Sequence, residues 1–430
     1  MTQQNNFKET LTKSKSGVRI YSFHTPVHSF CLSLYIPAGP MYEKSIEAGY
    51  SHFFEHMVFR NVNRLMSGEL YRELDKFGLT LSGTTYNEFI QLSICGSPKF
   101  FNKASEILTL ALEEIVVTKE ELSGERERVK REIREDTYSS TIDALSQKAV
   151  WCGTSLSETI TGSVGNLSKI TVNKLKKFSQ TLMSRNNIFF YLTGAFCEDN
   201  VDFLTSLVDK KELPLSPKRQ NLAPVPPLFF KRACEVKAKR DDVCKVKLAF
   251  DVDTEKVKKP VRDLIYDILF QGDTSQVFLE LSEKNGYVYS YDANFEEYLN
   301  VGVLTLSFET SKADFSKALE VVKDIFISLR ENEEEDRLAL AKVPYTENYL
   351  FILDDAEALN FNKAVESHFL GFDYKTLEER RAFYEKVTGN DVKEGAKEIF
   401  KKENLTVSIK HKNPEFAIKE VKRIFFDGNF

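Results

Sequence analysis

The run Ser51-His52-Phe53-Phe54-Glu55-His56-Met57-Val58-Phe59 holds two of the six histidines in the 430-residue chain. Its core spells H-x-x-E-H. On a helix, His52 and His56 project from one face, and two imidazoles four residues apart can grip one metal ion. Glu55 falls on the same face, where a carboxylate can take a proton from water. These are the parts of a zinc hydrolase, in the inverted order H-x-x-E-H rather than H-E-x-x-H. The blander alternative is a partly buried helix whose histidines bond neighbouring backbone groups. Phe53, Phe54, Met57, Val58 and Phe59 argue for burial. Buried imidazoles and a buried carboxylate need partners, which a metal would supply.

A metal needs a third protein ligand. The candidate lies in Glu125-Arg126-Glu127-Arg128-Val129-Lys130-Arg131-Glu132-Ile133-Arg134-Glu135-Asp136. Most of this long charged helix reads as a solvated face laced with i,i+4 ion pairs. Glu125, Val129, Glu132 and Ile133 nevertheless share one stripe. A stripe mixing Val and Ile with Glu can face inward, and an inward Glu wants a cation.

With these residues in place, the sequence resembles the pitrilysin, insulinase and mitochondrial-processing-peptidase metalloproteases. Those enzymes follow H-x-x-E-H with a liganding Glu well downstream, at the spacing seen here, where 75 residues lie between His56 and Glu132. They also carry a supporting Glu seven residues before that ligand, the position of Glu125. The resemblance implies that His52, His56 and Glu132 hold one Zn²⁺, that Glu55 is the general base, and that Glu125 orients the site from behind. It also implies an exposed edge strand that pairs with the substrate backbone. The matching run is Leu81-Ser82-Gly83-Thr84-Thr85-Tyr86-Asn87-Glu88, with Ser82, Gly83 and Thr84 as substrate-binding candidates. The family often has Asn-Ala where this chain has Ser82-Gly83, a departure that leaves a main-chain ladder possible.

The elements that must position these residues follow from pattern. Residues 17–36 read as a hairpin with Pro26 in its turn and Pro37-Ala38-Gly39-Pro40 as its stop. A helix over 67–78 turns Leu70, Leu74 and Phe77 inward and ends at Gly78. Strands follow over 79–86 and 88–95, then helices over 101–116, 118–137, 141–150 and 171–183, and a buried strand over 187–194. Five of the 12 prolines fall between Pro214 and Pro227, which marks a linker. The expected division is 1–212 for the metal-bearing half, 213–232 for the linker and 233–430 for a second half.

The halves look duplicated. Residues 92–106 shifted by 214 match 306–320 at seven of 15 positions, among them Ser93/Ser307, Phe101/Phe315 and Ala104/Ala318. The counterpart of the metal helix falls near residues 264–270 and has no His. The expected fold is α+β: two homologous α/β-sandwich halves, each an antiparallel-dominated sheet covered by helices.

Net charge is −5 at 42% hydrophobic and 29% charged residues. With no long block of one sign, no nucleic-acid partner is expected. No apolar run reaches 18 residues and the polar start lacks a signal core, so no membrane role is expected and the location is read as cytoplasmic. The six scattered cysteines are read as free thiols. His24 and His28 near the turn, and His368 and His411 later, receive no metal role.

In the second half, Thr274–Ser290 resembles the family's S-x-x-F-x-x-L-R-E-K-x-G-x-x-Y-S element, whose Arg and Tyr reach the substrate beside the zinc. Tyr289 matches the Tyr, while Ser282 stands at the Arg. The resemblance then implies a heterodimer. This chain would bring the metal, and a homologous subunit lacking H-x-x-E-H would bring the Arg/Tyr pair. The expected activity is zinc endopeptidase action on short or unfolded peptides, either leader trimming or general peptide disposal. The alternative is a non-catalytic structural subunit of the same fold.

Overall fold

A computed structural model gives the fold; the described residues are 7–216, 236–240, 244–428 and 430. The expected linker over 213–232 lies largely outside them, as does Cys234. The first half carries β1 (Thr10–Lys13), β2 (Arg19–His24), β3 (Phe30–Pro37), β4 (Thr80–Thr85), β5 (Phe89–Gly96) and β6 (Phe189–Gly194) in the order β1-β2-β6-β3-β5-β4. The second carries β7 (Val236–Lys239), β8 (Lys245–Val252), β9 (Tyr291–Glu297), β10 (Gly302–Glu309) and β11 (Leu405–Lys410) in the order β7-β11-β8-β10-β9. Only β2/β6 and β7/β11 run parallel, so both sheets are antiparallel-dominated as expected.

The hairpin expected over 17–36 is not one. β6, arriving from far downstream, inserts between β2 and β3, parallel to the first and antiparallel to the second. Its sequence explains the placement. Phe189-Phe190-Tyr191-Leu192 is apolar at every position and buried throughout, the mark of a central strand covered on both faces.

Helices α1 (Tyr50–Leu65), α2 (Leu70–Phe77), α3 (Phe101–Thr109), α4 (Lys119–Glu135), α5 (Ile142–Val150), α6 (Val164–Leu167), α7 (Val172–Leu182) and α8 (Glu198–Asp209) belong to the first half. α9 (Lys259–Phe270), α10 (Phe315–Glu331), α11 (Glu335–Thr346), α12 (Ala356–Ala364), α13 (Leu377–Glu385), α14 (Gly389–Ile399) and α15 (Pro414–Val421) follow. Phe101 opens α3 and Phe315 opens α10, so the 214-residue shift carries from sequence into structure. α9 is the counterpart of α1.

One face of each sheet is covered by its own half's helices; the other is covered by a helix from the opposite half. α12 packs on β3 and β6 of the first sheet. There the buried Asn360 amide donates to the carbonyls of Cys31 (3.1 Å) and Tyr191 (2.8 Å) and accepts from the Tyr35 hydroxyl (3.0 Å). In exchange, α5 packs on β8 and β11 of the second sheet. Asp143 on α5 pairs with Lys247 at 2.6 Å, and Trp151, just past the helix, is buried against Tyr298.

Candidate metal centre

α1 forms because its apolar residues recur on one face. Phe53, Phe54, Met57, Val58 and Val62 are buried against β3, β5 and neighbouring helices. Its start is fixed by Glu43, a buried carboxylate that accepts the backbone N–H groups of Gly49 (3.0 Å) and Ser51 (2.6 Å). Those are orphan donors of the first turn, and the negative charge suits the positive end of the helix. Gly49 adopts φ 90°, and a Cβ there would meet the Thr161 carbonyl oxygen at 2.6 Å. The seat admits only glycine.

α4 is capped by Thr118 and Glu121 in a reciprocal box. It lies against α1, burying Leu122, Glu125 and Val129. Glu132 comes one turn after Val129 and brings its carboxylate to the two imidazoles: 3.5 Å from His52 Nε2 and 3.8 Å from His56 Nε2. One donor atom from each of His52, His56 and Glu132 lies within 4.8 Å of the others. The side chains are 12%, 17% and 46% exposed, so the cluster opens to solvent on the Glu132 side.

A hydrogen bond behind the cluster orients one of its two imidazoles. His56 Nδ1 bonds Glu125 at 2.9 Å, which leaves the Nε2 lone pair facing Glu132. Burial works against a charged Glu125. The hydrogen bonds from His56 and from Arg60, whose Nε and Nη2 both reach Oε2 (3.0 and 2.5 Å), outweigh it and hold the carboxyl down at about 2. Burial, with His56 alongside, pushes His52 down to about 4, so its ring is neutral near pH 7. Its contact with Glu132 is therefore not an ion pair: a neutral nitrogen and a carboxylate face a common point. His52 Nδ1 is buried without a hydrogen-bond partner among the described residues. Two imidazoles and one carboxylate, with donor atoms converging, fit zinc, whose tetrahedral shell spaces ligand atoms by about 3.3 Å.

Glu55 is buried (9% exposed) beside this cluster. Burial raises its carboxyl above the ordinary range, and the Thr85 hydroxyl and His56 oppose that rise. The edge strand lies over it: Thr85 Oγ1 donates to Glu55 Oε2 at 2.7 Å. A Cβ on Gly83 would overlap the Phe59 ring and sit 3.0 Å from Glu55 Oε1. Where the family often has Ala, the Phe59 ring fills the space instead.

β4 is the last strand of its sheet and pairs only with β5, so one row of its backbone groups is open to an added strand. Ser82 and Thr84 point away from Glu55 and are exposed, and Ser82 Oγ bonds Ser93 Oγ at 2.7 Å. Tyr289 is fully exposed, so in this chain it touches neither the metal helix nor β4. Three supports escaped the pattern reading: Glu43, Arg60 and Thr85. Arg60 had a signal, because it lies four residues after His56 on the same helix face.

Comparison with known proteins places the fold and site in context. The family model for insulinase (peptidase family M16) matches residues 19–162, and that for the peptidase M16 inactive domain matches 169–342. The chain belongs to this family. An uncharacterized zinc protease of Rickettsia felis is 23% identical over 345 residues, 79% of this chain and 82% of that protein. Mitochondrial-processing peptidase subunit beta of Rattus norvegicus is 23% identical over 364 residues, 81% of this chain and 74% of that one. The crystal structure of a protease from Helicobacter pylori superposes with TM-score 0.78 at 18% identity, covering 94% of this chain and all of that one. Among the described residues, no helix is long and apolar enough to cross a membrane.

Proposed function

We propose that this chain is the metal-bearing subunit of a zinc endopeptidase that cleaves short or unfolded peptides. The observation that carries this is the convergence of His52, His56 and Glu132 donor atoms within 4.8 Å, with the buried Glu55 alongside. Bound zinc would supply Lewis acidity, polarising a water molecule and the peptide carbonyl. The chain's own residues do the rest. Glu125 holds His56 in the tautomer that presents Nε2. Glu55, raised by burial, takes the proton of the attacking water and returns it to the leaving amine. The open row of β4 receives an extended peptide through main-chain bonds, which asks little of its sequence.

A model named for an inactive domain matches residues 169–342, which take in the first part of the second half, and the Arg position holds Ser282. A homologous partner lacking H-x-x-E-H supplies the missing Arg and Tyr in this reading. The five described cysteines are free thiols, which supports a cytoplasmic location. The test is zinc content and peptide turnover, alone and mixed with such a partner. Wild type should bind one zinc and turn over in the mixture. Glu55→Gln should keep the zinc and lose turnover by a factor of about 10³ or more. A purified protein that holds no zinc at neutral pH favours the non-catalytic subunit instead.

A further inference from the structure

β4 alternates in burial. Thr80, Ser82 and Thr84 face solvent, whereas Leu81, Gly83 and Thr85 face α1. The inner row meets the carboxylate of Glu55 twice. Thr85, 7% exposed, spends its hydroxyl proton on Oε2 at 2.7 Å. Gly83, two residues earlier on the same face, leaves room for Oε1 to lie where a side chain would crowd it. A glutamate has three free torsions, and nothing on α1 itself fixes the last of them. The strand does so, with one hydroxyl and one missing Cβ.

We infer that Thr85 is a positioning residue for the base: its hydroxyl pins one oxygen of Glu55, so that the oxygen beside Gly83 alone is left to accept a proton. The inference rests on the peptidase reading and deepens it. The same strand offered to the peptide backbone on its outer edge also holds the base on its inner face. Peptide register and base position are then set by one element, and a distortion of β4 by a badly seated peptide displaces the base with it.

The test compares Thr85→Val, which keeps shape and removes the donor, with Thr85→Ser, which restores it. For a misdirected base we expect kcat to fall about tenfold or more in the Val variant, with KM within twofold, zinc content unchanged, and most of the loss recovered by Ser. A Val variant with wild-type kcat, or a Ser variant as slow as Val, overturns the inference. A role in folding alone would lower the melting temperature without splitting kcat from KM. Should the Val variant not fold, the Ser variant and the zinc-loaded wild-type crystal structure decide. A Thr85 hydroxyl more than hydrogen-bond distance from Glu55 in that structure overturns the inference, and a retained contact supports it. Wild type that cleaves no peptide in any mixture sinks the peptidase reading instead, and the crystal structure still reports on the contact.

Discussion

The bond between Glu125 and His56 decides which ring nitrogen faces Glu132, and Arg60 keeps Glu125 charged enough to make it. Glu125→Ala should therefore weaken zinc binding about 10–100-fold, as loss of a ligand's supporting partner does; competition with a chelator measures it. A different residue reports on stability. His368 packs at a tilt against Tyr21 (4.2 Å between centroids) and Phe189 (4.7 Å), and its Nε2 has no hydrogen-bond partner among the described residues. Burial first, then Arg19, lowers it to about 4, with Glu9 opposing. An unfolded histidine titrates near 6.5, so between those values only the unfolded chain binds the proton. Stability from this site is complete above about pH 6.5 and lost as pH falls towards 4, by about 3 kcal/mol in all. In His368→Phe the melting temperature should drop less between pH 7 and pH 5 than in wild type. At this scale the sequence was most legible where spacing carries chemistry: 52, 55, 56, 125 and 132 could be named because helical period and motif distance are one-dimensional facts. Thr85 and Glu43 could not, because their partners lie across a strand and a loop whose approach no local pattern encodes.

At the scale of elements, the metal helix depends on a residue outside it. Glu43→Ala leaves two buried N–H groups at the start of α1 without their carboxylate. That should cost about 2 kcal/mol or more, seen as a lower urea midpoint, and the frayed first turn carries His52, so zinc affinity should fall as well. Strand and helix identities were largely readable from periodicity and stop signals, as with Gly78 closing α2 at φ 59°. The charged helix over 118–137 appears as α4 because Thr118 and Glu121 mark its start. Helix 101–116 ends earlier than its composition suggests, giving way after Thr109 to a tighter turn over Leu110–Leu112. The hairpin expected over 17–36 gives way to an inserted strand for a physical reason. Alternation tells which face of a strand is buried, but not which strand lies beside it. β6 takes the place between β2 and β3 because it is apolar on both faces and needs cover on both.

At the scale of the whole molecule, the duplicated halves were legible and their exchange of α5 and α12 was not. α12 joins the first sheet through Asn360, which bonds two of that sheet's carbonyls. α5 joins the second sheet through Asp143 and the buried Trp151. Residues 1–216 and 236–430, produced as separate chains, should each be insoluble, because each has a sheet face stripped of its cover and a helix with nothing to cover. Refolded together they should recover a soluble pair, which size-exclusion chromatography would detect; two fragments soluble on their own would contradict the exchange. A clasp of this kind also bears on how a peptide could enter. The halves cannot part at the waist without prising α12 off β3 and β6 and α5 off β8 and β11, so any opening that admits a peptide has to come from outside this waist, with the chain travelling as one stiff shell.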